Sequence, residues 1–86
     1  MIDKVLILSV EGDFPFKVLR GKIFVKGLEA RFEGVVYQSV GGPNVRTMID
    51  PDDMANLKTY GISEGDVELA LQQKILNGEV VLEQSR

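Results

Sequence analysis

Residues 39–54 read SVGGPNVRTMIDPDDM, and the fold turns on whether this stretch is a ligand loop or a strand–turn–strand–helix junction. Glycine supplies positive φ without steric cost and proline fixes its own φ near −65°, so the GGPN stretch at 41–44 predicts a hairpin turn. On its far side, Val45, Thr47 and Ile49 alternate onto one face of a strand. Asp50 then offers a side-chain acceptor at an N-cap, Pro51 suits the first helical position, and Asp52 and Asp53 bring negative charge to the first turn. A phosphate loop would need G-x-x-x-x-G-K-[ST] or G-x-G-x-x-G, and neither spacing occurs. An EF-hand would need alternating acids, a central glycine and a distal glutamate, whereas Pro51 directly follows the first aspartate. Whether Asp50, Asp52 and Asp53 meet Glu33, Glu79 or Glu83 in a cation site is a question of tertiary geometry.

Downstream, Met54, Leu57 and Tyr60 share one helical face, and Gly61 is placed for a C-cap. Ser63, with Asp66 three residues on, opens a second helix over about 64–77, buried through Val67, Ala70, Leu71 and Ile75 and followed by Gly78. EVVLE at 79–83 predicts a short final strand. The helix–turn–helix spacing does not read as groove recognition, because Glu64, Asp66 and Glu68 would be driven against phosphates.

Upstream, the β-branched run from Val5 to Val10 predicts a central strand covered on both faces. Gly12, Asp13 and Pro15 mark a turn. FKVLRGKIFV at 16–25 is either two segments around a hairpin at Gly21 or one strand carrying a bulge there. LEARFEGVVYQSV directs Leu28, Ala30 and Phe32 one way and Glu29, Arg31 and Glu33 the other, with Gly34 expected at a bulge. The resulting fold class is α+β: an antiparallel-rich sheet of about five to six strands, two C-terminal helices packed on one face, and a short final strand, in one domain over 1–86.

Composition narrows the function. With 44% apolar and 27% charged residues, the 86-residue chain belongs with ordinary folded domains. It has neither cysteine nor histidine, which removes disulfides, thiolate metal sites and thiol or imidazole catalysis. No nucleophile-elbow or S-x-x-K pattern surrounds its hydroxyls, so no enzyme, cofactor or metal is expected. The apolar run of residues 5–8 is too short for a secretory leader or a membrane span, which leads to a cytoplasmic expectation with no membrane partner. Charge is uneven: residues 1–50 carry seven Lys/Arg against six Asp/Glu, and residues 51–86 three against seven.

The candidate interaction surface is residues 16–26, with Phe16, Lys17, Arg20, Lys22, Phe24 and Lys26 and no acid. As one extended strand, Phe16, Val18, Arg20, Lys22, Phe24 and Lys26 share a face, with Leu19, Ile23 and Val25 opposite. Two readings follow. A non-catalytic module contacting protein, self-associating as a homo-oligomer, is favoured for so small a domain with an exposed strand. The alternative is RNA or single-stranded DNA, which binds basic and aromatic sheet faces.

Overall fold

The computed structural model describes residues 1–13 and 15–83. Strands β1 (Lys4–Glu11), β2 (Phe16–Val25), β3 (Leu28–Ser39) and β4 (Gly42–Ile49) form a meander. Helices α1 (Pro51–Thr59) and α2 (Glu64–Leu76) follow, and β5 (Val81–Leu82) closes the chain. The sheet order is β4-β3-β2-β1-β5, antiparallel except for β5, which lies parallel to β1. This is the α+β architecture read from the sequence, with five strands.

The helices pack on one sheet face. Val5, Ile7, Ile23, Val25, Ala30, Phe32 and Ile49 from that face meet Met54, Leu57, Ile62, Val67 and Leu71 in a single core. The apolar spacing of α2 predicted its buried Val67 and Leu71, and Ala70 and Ile75 pack at the margin. In α1, Met54 and Leu57 are buried, but Tyr60 is exposed because the helix has already ended there.

The caps form as the sequence predicts. The Asp50 side chain accepts from Asp53 N at 3.1 Å, and Ser63 Oγ from Asp66 N at 3.4 Å. At the other ends, Gly61 and Gly78 take left-handed φ of 79° and 74°, and Ile62 N and Glu79 N reach back to the carbonyls of Leu57 and Lys74.

Four strand readings need correction. First, β1 is covered on one face only, and Leu8 and Val10 are exposed. A bulge at Leu8, between the Ile7–Gly21 and Ser9–Arg20 pairings, resets the alternation, so an unbroken apolar run arises without two-sided cover. Second, β2 passes straight through Gly21, and the irregularity belongs to β1 opposite. A Cβ on Gly21 would run into the Leu6 carbonyl. The reversal comes instead at Lys26–Gly27, whose φ values of 52° and 80° give the two-residue hairpin that matches sheet twist.

Third, register runs unbroken through Gly34, which lies beneath Ile75 of α2 and not in a bulge. Fourth, the β3–β4 turn is Val40–Gly41, and Pro43 and Asn44 already pair with Gln38 and Tyr37. Proline is tolerated there because β4 is an edge strand. Asn44 Oδ1 accepts the Val45 N–H at 2.9 Å, satisfying an amide that β3 does not. Pro43, two residues earlier, points the same way with no N–H at all. Thus the outer edge of β4 is blunted against further strand pairing.

Where β4 stops, at the Phe32–Ile49 pairing, α1 takes over the edge of β3. Asp50 N donates to Arg31 O at 2.9 Å, and the Asp53 carboxylate accepts Arg31 N at 2.9 Å.

Candidate functional site

Helices cover one side of the sheet, so the other side is its free surface, and register fixes what it displays. Starting at the turn end, Phe16 lies beside Tyr37 and Asn44. The next row across the strands is Arg46, Val35, Val18 and Glu11, followed by Met48, Glu33, Arg20 and Ser9. Below it come Arg31, Lys22 and Leu6, with Val81 at the β5 edge, and finally Glu29, Phe24 and Lys4. Phe16 and Met48 are well exposed, while Val18, Val35 and Tyr37 are half-buried among them. One corner is therefore apolar and aromatic.

The remainder is an ionic lattice formed across strands. Arg20 reaches Glu11 at 3.2 Å and Glu33 at 3.0 Å, and Lys22 meets Glu29 at 3.0 Å. Lys4 Nζ stands 5.9 Å from the centre of the Phe24 ring, within cation–π range. The Glu11 hydrogen bond, with the charges of Glu11 and Glu33, pushes the Arg20 guanidinium above its ordinary pKa. Arg31 is raised in the same way, by its hydrogen bond to Asp53 and the charges of Asp50 and Asp53. Arg46 stands apart: among the described residues no carboxylate pairs with it.

Shallow depressions lie along β3, toward both of its ends. Phe16, Val35, Tyr37 and Arg46 line one of about 280 Å³ on the free face. A second, of about 270 Å³, lies between Arg31, Glu33, Met48 and Pro51. The third, of about 230 Å³, is bounded by Pro15, Lys17, Val36 and Gln38.

Of the six candidate residues, the structure gathers Phe16, Arg20, Lys22 and Phe24 on the free face. Lys17 pairs with Val36 and so belongs to the opposite face. Lys26 sits in the hairpin turn, its N–H held by Asp3 at 3.0 Å. Sequence reasoning missed Glu11, Glu29 and Glu33 as partners of the basic strand, and Val35, Tyr37, Arg46 and Met48 as its apolar and cationic neighbours. The alternation of β3 and β4 held the signal, but only the pairing register converts it into neighbours.

Two of the three aspartates, Asp50 and Asp53, turn to Arg31. Asp53 Oδ2 accepts Arg31 Nε at 2.9 Å, and Asp50 Oδ2 accepts Nη2 at 3.3 Å. The side-chain bond from Arg31, then the bond from its backbone N–H, holds the Asp53 carboxyl below its ordinary pKa. Among the described residues no three acidic side chains converge to hold a metal ion. No helix among them is long and apolar enough to cross a membrane. The chain matches no known protein family, no characterised protein and no solved structure.

Proposed function

We propose that the protein is a non-catalytic interaction module that self-associates, with the uncovered sheet face as its docking surface. The observation that carries this reading is the combination of one-sided helix cover with a free face on which Arg20, Lys22 and Arg31 are already paired with carboxylates of the same chain. A surface of paired ions around an apolar corner suits a protein. Aromatic residues at such a surface contribute large contact area at low entropic cost. Sedimentation of the purified protein over a wide concentration range tests it: a reversible monomer–oligomer equilibrium, weakened at least tenfold by Val35→Glu, supports the proposal, and a strict monomer at millimolar concentration refutes self-association.

Single-stranded nucleic acid is the second reading, favoured by Phe16 and Phe24 standing beside Arg20 and Lys22 on one face. Against it, each of those cations already has a carboxylate partner, and the chain carries a net charge of −3. Phosphate binding would have to displace those carboxylates. Anisotropy of a labelled oligonucleotide at low salt is expected to show no binding. Salt-sensitive binding abolished by Lys22→Glu would make nucleic acid the partner instead.

A further inference from the structure

We infer that the occupant of the free sheet face is a second copy of this chain, packed face to face about a two-fold axis that runs along the strands between β2 and β3. This inference rests on the self-association proposed above and adds the geometry of the pairing.

Such an axis keeps each row of the face at its own height and exchanges the two sides of the sheet. Applied to the observed register, it sets Tyr37 over Phe16 of the partner subunit and Val35 over Val18 of the partner subunit. In the next row it sets Glu33 over Arg20 of the partner subunit, closing two intramolecular pairs of 3.0 Å into a square of alternating charge. The same operation carries Arg46, which has no carboxylate partner among the described residues, to Glu11 of the partner subunit at the other end of its row. The one like-signed meeting is Arg31 with Lys22, and each of these cations is already held by carboxylates.

Orientation follows from the same grid. A two-fold axis across the strands, through the Glu33–Arg20 row, would press Val35 onto Arg31 and Val18 onto Lys22, burying cations against apolar groups. The strand-parallel axis pairs the apolar residues of the upper rows with one another and Glu33 with Arg20, and sets a charge against a ring at the far end, where Glu29 meets Phe24 of the partner subunit. Twisted sheets pack aligned at about 30°, which leaves pairs near the axis in register, and the long arms of arginine and glutamate span the drift further out. The two central strands, paired over about 33 Å at about 4.8 Å spacing, with β1 and β4 overlapping only where both flank them, present roughly 450 Å² before side-chain relief. That is below the roughly 800 Å² per partner of a standard stable interface and suits a weak, reversible dimer. Once Asp50 and Asp53 beside Arg31 are counted, cations and carboxylates on the face balance, which suits an isologous contact, in which each surface meets its own copy and a net charge of either sign would repel itself.

The test is a charge-swap cycle read by sedimentation, with thermal melts confirming that each variant folds. Arg46→Glu and Glu11→Arg each place like charges together, and each is expected to weaken dimerisation about tenfold. Combined in one chain, they restore the attraction with its signs exchanged, and dimerisation returns to within about threefold of the parent. An independent readout needs no variant: isotope-filtered spectra of mixed labelled and unlabelled protein are expected to show Val18–Val35 and Phe16–Tyr37 contacts between subunits. A dimer whose contacts fall elsewhere, or whose double variant is no better than the singles, overturns this geometry while leaving self-association standing. A strict monomer overturns both.

Discussion

The Asp53 carboxylate takes both the backbone N–H and the side-chain Nε–H of Arg31, each at 2.9 Å. One acid in the first turn of α1 thereby supplies the hydrogen bond that a neighbouring strand would have given β3, and neutralises the residue it bonds. The acidic N-terminus of α1 is thus a joint between helix and sheet as well as a complement to the helix dipole.

That joint makes stability depend on acid. Because the folded carboxyl of Asp53 titrates below its ordinary range, its stabilisation is complete above the unfolded pKa of about 3.9 and is lost as pH falls through the depressed value. Asp53→Asn should therefore melt below the parent at neutral pH, with the gap closing toward pH 2. Melting curves across this range check it, and a gap that persists at pH 2 would show that charge is not the cause.

Asp50 acts one step earlier, as the N-cap whose side chain accepts Asp53 N. Asp50→Ala is expected to cost about 1 kcal/mol, the usual value of a lost cap. Asp50→Ser, which keeps an acceptor, should recover most of it in urea denaturation.

Gly21 and Gly34 should respond in opposite ways to alanine. At Gly21 the new Cβ meets the Leu6 carbonyl, which sits on hydrogen-bonded backbone and cannot withdraw cheaply. A loss of about 3 kcal/mol is expected there. At Gly34 the nearest atom is Ile75 Cδ1 at 3.6 Å, an ordinary contact. Gly34→Ala should be neutral or mildly stabilising, since it also removes chain entropy from the unfolded state.

Two leucines of α2 give a control on the core. Leu71 is fully buried and Leu69 is 57% exposed. Leu71→Ala should cost about 2–5 kcal/mol, and Leu69→Ala less than about 0.5 kcal/mol, both by chemical denaturation.

Much of this architecture was legible because local chemistry and tertiary structure agree. Asp50-Pro51 and Ser63 start helices where they should, glycines end them, and the alternation in β3 and β4 selects the buried side correctly. The errors cluster where a signal depends on a neighbour. The bulge at Leu8 shows only in the register against β2, so the run around it imitates a doubly covered strand. Gly21 looked like punctuation, yet it is the small residue that lets the bulged β1 approach. The basic stretch of 16–26 looked like a cationic patch because its counter-charges, Glu11, Glu29 and Glu33, come from other strands. Composition within a segment identifies a face, while its electrostatic character is decided across the ladder.

The parallel pairing of β5 with β1 also bears on the order of assembly. The meander and the helix pair join segments adjacent in sequence, so their loops close early and at small entropic cost. Val81 and Leu82 must instead find Leu6 and Ile7 from the opposite end of the chain, for only two paired positions. The β1–β5 seam is accordingly expected to form last and to open first. Amides there should exchange with solvent well before those of β2 and β3, fraying one side of the sheet while its centre stays closed.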